Sequence, residues 1–208
     1  ASGVFVQRLV KSLPADMDIT VITPSDTLQQ KPSFDAGYKI NCFRYAPRKW
    51  QQLAHQPGGI PVALKRHKVM RWLVPVFLVA MFLACFRAAW KADVIHANWS
   101  INGAIAGLIG MFLRKPVVTT VRGEDIARAK NSKVYRYILA WCLRSSYKLV
   151  TVSEAIRDLL LHEFPRYSHK ISFFHNFDLF CFKTNFSKIE YKISWSTLIK
   201  NPAISSCK

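Results

Sequence analysis

The residues with chemistry to offer stand in a few short stretches. In ADVIHANWSINGAIAG, residues 92 to 107, an apolar pair runs into His96, Asn98 and Trp99, and Asn102 and Gly103 then open a run of Ala, Gly and Ile. PVVTTV leads into Arg122, Gly123, Glu124 and Asp125, KLVTV leads into Ser153 and Glu154, and KISFF leads into Asn176 and Asp178. His96, Asn98 and Trp99 are expected to project into a ligand crevice at the strand end. Arg122 is expected to clamp a phosphate or carboxylate, with Gly123 letting a ligand approach the backbone. Glu124 and Asp125 would accept hydrogen bonds, Ser153 would turn a hydroxyl to the ligand, and Arg122 and Asp125 are the candidates for a catalytic part. Ser2 and Gly3 precede the first helix and offer amides to an anion. Each has a plainer use. A histidine at a strand end caps carbonyls, small residues pack, Glu124 and Asp125 suit the start of a helix, and Ser153 suits its N-cap.

These residues need elements that bring them together, and the hydrophobic periods supply them. Residues 3–13 put Val6, Leu9, Val10 and Leu13 on one helical face, with Pro14 as the stop. Strands are expected over 18–23 and 38–45, a loop over 48–62 and a long apolar helix from Ala63 to Lys91. Then come strand 93–97, helix 102–113, strand 116–121, helix 133–146, strand 148–152, helix 153–163 and strand 170–174. The later strands are β-branched and almost continuously apolar, as in a parallel sheet covered on both faces. The fold class is therefore α/β, a doubly wound, Rossmann-like, mostly parallel sheet with helices on both faces. Such sheets bind ligands beyond the carboxyl ends of their strands, where the polar stretches fall.

The totals narrow the chemistry. A chain of 208 residues, 50% hydrophobic, can bury a substantial core. A formal charge of +18 favours an anionic partner. The five cysteines, at 42, 85, 142, 181 and 207, form no C-x-x-C pair and read as small buried hydrophobes in a reducing, cytoplasmic compartment. The six histidines show no zinc spacing, and neither G-x-S-x-G nor a P-loop occurs, which disfavours hydrolase, zinc-enzyme and nucleoside-triphosphatase chemistry. No metal is expected. Nucleic acid is not an expected partner, since no recognition helix or RNA-binding motif accompanies the charge. No leader peptide is visible at Ala1-Ser2-Gly3, and the lack of an opening strand suggests an upstream segment.

In order and spacing, SGVFVQRLVKSL, DITVITP, DVIHANW, KPVVTTVRGED, KLVTVSEAIRDLL and HNFDLFCF resemble the N-terminal, acceptor-side domain of group 1, family 4-like glycosyltransferases of the GT-B fold, over residues 1 to about 183. The resemblance implies a retaining transfer of sugar from a nucleotide-sugar co-substrate to a glycan or lipid-linked acceptor, with no further cofactor. It implies that Ser2-Gly3 is the end of the loop after a first strand that lies outside this sequence. Asp93, Val94, Ile95 and His96 match the family's DVIHxH, with Asn98 in place of the second histidine. Arg122 stands where histidine is usual in HGxD, with Gly123 and Asp125 retained. Asn176, Phe177 and Asp178 represent the closing signature without its glycine. The family's donor domain carries two glutamates seven residues apart, and no such pair occurs among Glu124, Glu154, Glu163 and Glu190. Residues 184–208 are expected to be a tail with no domain or clear element of its own. The expectation is thus half an enzyme, inactive alone, whose donor site lies mainly in another domain.

The helix over 63–91 has its own logic. Its charge-free run from Trp72 to Phe86 falls short of the ~20 residues that span a bilayer, and Pro75 is expected to interrupt it. Lys65, Arg66, Lys68 and Arg71, with Trp72 and Trp90 near the ends, suit an interfacial helix on an anionic membrane, which would place the protein on the inner face of the cell membrane. A plain core helix between two strands is the alternative. The rival to the enzyme is a non-catalytic, membrane-surface binding module on the same sheet.

Overall fold

The computed structural model describes residues 6, 9–10, 13, 17–25, 38–51, 53, 60, 68–173 and 196–200, the last five in backbone only, as well as the backbone of 68–69. Strands β1 (Asp18–Pro24), β2 (Tyr38–Phe43), β3 (Val94–Asn98), β4 (Val117–Val121), β5 (Lys148–Thr151), β6 (Ile171–Phe173) and β7 (Ser196–Lys200) form one sheet. Its order is β2-β1-β7-β3-β4-β5-β6. Every pairing among β1 to β6 is parallel, whereas β7 runs antiparallel to both β1 and β3. The chain therefore builds outward to β2, returns, and builds outward again from β3 to β6. That reversal is the topological switch point of a doubly wound sheet, and the crevice beyond it faces the carboxyl ends of β3 and β4.

Five helices are described: α1 (Leu73–Ala89), α2 (Ser100–Leu113), α3 (Gly123–Asn131), α4 (Lys133–Ser145) and α5 (Glu154–Glu163). All five lie on one face, because successive right-handed crossovers moving in one direction across a sheet stay on the same side. Phe77, Met81 and Cys85 of α1 pack with Ile22, Phe43 and Ile95, and Leu139, Leu143 and Leu160 pack with Val121 and Leu149. On the other face, Val6, Leu9, Val10 and Leu13 join Ile19, Val21, Val94 and Val118. These four are the residues expected on the inner side of the first helix, and all four are buried.

Over the described residues the expected strands and helices recur within about two residues, except that the long helix expected from Ala63 is α-helical only from Leu73. Three differences have local causes. Pro75 does not interrupt the long helix. It occupies the first turn of α1, where a missing N–H costs nothing, after a 3-10 turn over Lys68–Trp72. The stretch 123–131, expected to hold polar candidates or the start of a helix but with no helix placed over it, is a full helix. The tail contributes β7, which pairs Ser196 with Ala97 and Thr197 with His96 on one side and Lys200 with Asp18 on the other. Its five residues give too short a run to mark a strand without knowledge of the gap they fill.

The run of small residues in α2 is explained by contact. A Cβ on Gly103 would sit 2.5 Å from both Cys142 Sγ and Thr119 Cγ2. One on Gly107 would overlap Ser145, and one on Gly110 would overlap Val117 and lie 2.7 Å from the Lys115 carbonyl oxygen. The helix is small so that it can lie against α4 and β4 at once.

Candidate functional site at the carboxyl edge

The side chains of β3 alternate between the faces. Ile95 and Ala97 pack with α1, while Val94 packs with Val6 and Leu9. A period of two puts His96 and Asn98 on the same side as Val94. Both are buried, at 3% and 0% exposure. His96 Nε2 lies 2.7 Å from Thr120 Oγ1, and its Nδ1 has no hydrogen-bond partner. Burial alone brings its pKa from 6.5 down to about 3, so the ring is neutral. Among the described residues neither the oxygen nor the nitrogen of the Asn98 carboxamide has a partner. The expectation that His96 and Asn98 project into an open crevice is therefore corrected: the strand's alternation turns them inward, to the side of the sheet on which Val6, Leu9 and Val10 pack with Val94.

The open part of the edge is built by the next residues. Trp99 links β3 to α2 with φ 68° and ψ 151°, a conformation that only glycine adopts easily. Its N–H donates to the Thr120 carbonyl (2.9 Å), and its own carbonyl accepts from Gly103 N–H (2.9 Å), so both ends of the strained residue are held. The Arg122 guanidinium lies 5.0 Å from the centre of the Trp99 ring, within cation–π range. Partial burial pulls the Arg122 pKa down from its ordinary value, and the charge of Asp125 pushes back. An arginine remains protonated under such a balance.

Asp125 ties these parts together. One carboxylate oxygen accepts from Ser100 N–H (2.9 Å) and Ser100 Oγ (2.6 Å), and the other accepts from the Arg122 N–H (2.9 Å). A single buried carboxylate thus caps the starts of α2 and α3 and sets them side by side. With three donors already on it, Asp125 is a positioning residue, and the expectation of a catalytic part for it is corrected to that. Arg122 is half-buried, with its Nε and one terminal nitrogen out of solvent.

The remaining expectations separate cleanly. Glu124 is exposed and pairs with Arg128 one turn on. Gly123 is exposed, and an added Cβ would meet only Ile156 Cδ1 at 3.8 Å, so packing does not demand a glycine there. Ser153 Oγ accepts from Ile156 N–H (3.3 Å), the plain N-cap of α5. Ser2, Gly3 and Asn176 lie outside the described residues. Among the described residues no group of three His, Cys, Asp or Glu could hold a metal ion. Cys42, Cys85 and Cys142 are free thiols, and burial, the larger effect, pushes Cys142 up to about 12 against the hydrogen bonds of Thr119 and Ser146. The sequence reading named Trp99 at the strand end without giving it a role, and it missed Ser100. The signal was present, because the residue joining a strand to the next helix in this fold class must stand at the crevice.

A mostly parallel sheet with a switch point, and an arginine over Trp99 between two clamped helix starts, defines a Rossmann-like α/β domain with a candidate site at the carboxyl edge. The chain belongs to a sugar-transferring family: the model described as Glycosyltransferase Family 4 matches residues 2–177, so this is a glycosyltransferase-type domain with the architecture of one half of a GT-B fold. No curated protein matches it closely enough to be named beside it.

Proposed function

We propose that this chain is the acceptor-binding half of a retaining glycosyltransferase that moves a sugar from a nucleotide-sugar to a glycan or lipid-linked acceptor at the cytoplasmic face of the cell membrane. The observation that supports this most is the Arg122 guanidinium, stacked on Trp99 and set between the starts of α2 and α3 by Asp125. A fixed cation beside two helix N-termini favours a phosphate or an oxygen that gains negative charge. An acceptor carried on a phosphate would be oriented there, with Glu124 free to exchange Arg128 for a sugar hydroxyl.

These 208 residues hold no glutamate pair of the donor type, and positioning of donor against acceptor supplies much of the rate in such transfers. The expected result is acceptor binding without turnover. Titrating the protein with a sugar phosphate, followed by tryptophan fluorescence, should give saturable quenching that Arg122→Ala weakens on the order of tenfold, the scale of one charge-assisted hydrogen bond. Incubation with radiolabelled nucleotide-sugars and acceptor should give no product. Equal binding by Arg122→Ala would overturn the placement of the acceptor, and robust turnover by the isolated chain would overturn the division of labour.

A further inference from the structure

Helix α1 is apolar on both sides. Its inner side carries Phe77, Met81, Cys85 and Ala89, all buried in the core. Its outer side presents Val76, Val79 and Leu83 to solvent, preceded by Trp72 and followed by Trp90. The spacing of four, three, four and seven keeps these five on one line, roughly 27 Å long at the rise of an α-helix. Trp72 is 83% exposed and Trp90 66%. The neighbouring helix, which packs against α1, adds Leu108, Met111 and Phe112, the last 69% exposed. Two adjacent helices thus expose one apolar face on a domain whose core is already filled, and large exposed apolar patches mark contact surfaces.

The charge around this face selects its partner. From residue 36 to residue 123 the sequence contains thirteen Lys or Arg and a single acid, Asp93. Arg71 and Arg87 are exposed on the α1 segment, Lys91 follows Trp90, and Arg114 follows the end of α2. Tryptophans at both ends of an apolar line, with cations among and beyond them, match the layering of acyl chain, headgroup boundary and anionic headgroup. By length and composition Met70–Ala89 could cross a membrane, but its inner side is core, and crossing would pull Phe77 and Met81 out of the sheet.

We infer that α1 and α2 together form a docking face for an anionic bilayer surface, with both helices lying in the headgroup boundary and the domain folded above it. This rests on the two helices alone and stands whether or not Arg122 holds an acceptor. It goes beyond a single basic helix, because Leu108, Met111 and Phe112 of α2 share the contact.

The test is flotation of the purified chain with vesicles of mixed phosphatidylglycerol and phosphatidylcholine, and with phosphatidylcholine alone. The unaltered protein should float with the anionic vesicles, less so as salt rises, and little with the neutral ones. Val79→Glu with Leu83→Glu, and separately Met111→Glu with Phe112→Glu, should each lower binding on the order of tenfold. All four side chains are exposed, so circular dichroism should confirm an unchanged fold. Val134→Glu with Tyr137→Glu, at exposed apolar positions of α4, should bind as the parent does. Undiminished binding by both helix variants, an equal loss in the α4 control, or no binding by the parent would overturn the inference. So would a lipid-free dimer that the α1 and α2 substitutions dissociate, since a second copy would then cover this face.

Discussion

Asp125 joins Ser100 to Arg122 across two helix starts, so its loss strands donors from both. Asp125→Ala should lower stability by about 3 kcal/mol, read as a shift of the urea midpoint, and should weaken sugar-phosphate binding although Arg122 is still present. Arg122→Lys should leave the midpoint within about 0.5 kcal/mol while losing the planar stack on Trp99. His96 sets a pH dependence. Its folded pKa of about 3 lies below the unfolded value of 6.5, so between those limits the unfolded chain binds a proton that the folded chain excludes. Stability from this source is complete above pH 6.5 and falls as pH drops towards 3, by up to about 1.4 kcal/mol per unit. His96→Gln should flatten that slope between pH 6 and 4 in denaturant titrations, and an unchanged slope would assign it to other groups. At this scale the sequence told where polar residues cluster but not which way they face. Arg122 follows its strand's last residue and is only half-buried, whereas His96 and Asn98 lie within the strand and are fully buried. Only the placement of the Val6 helix decides which side of β3 is covered, and no local pattern around residue 96 carries that.

Helix α2 shows two opposing effects of glycine. Alanine is a better helix former by about 1 kcal/mol, yet at Gly110 a methyl group would press on Val117 and on the fixed carbonyl of Lys115. Overpacking of this kind costs about 1–3 kcal/mol, and backbone cannot step aside as a flexible side chain can, so Gly110→Ala should destabilise the protein in thermal melts. Elements were the most legible level of this sequence. The inner row of Val6, Leu9, Val10 and Leu13, the apolar runs of β3 and β4, and the Ser153 cap each state a structure through short-range spacing. Helix α3 was missed because GEDIARAKN is polar on most of its surface and buries only Asp125, Ile126 and Ala129. Its evidence is the capping carboxylate, which reads equally well as a ligand group until Ser100 is seen opposite it.

The whole molecule divides its two outer surfaces by chemistry, a polar carboxyl edge at β3 and β4 and an apolar, cation-ringed face on α1 and α2. The one arrangement invisible from sequence is the central strand. β7 joins β1 to β3 by main-chain pairing, so a residue there that cannot donate should be felt across the sheet. Leu198→Pro removes a ladder N–H between two neighbours and should cost about 3 kcal/mol, seen as faster proteolysis at β1 and β3 together. Partners so remote in the chain also impose an order of events. While the protein is being synthesised, the inner borders of β1 and β3 remain bare until residue 200 has left the ribosome, and such borders invite pairing with other nascent chains. Slow translation between β3 and β7 would lengthen that vulnerable interval.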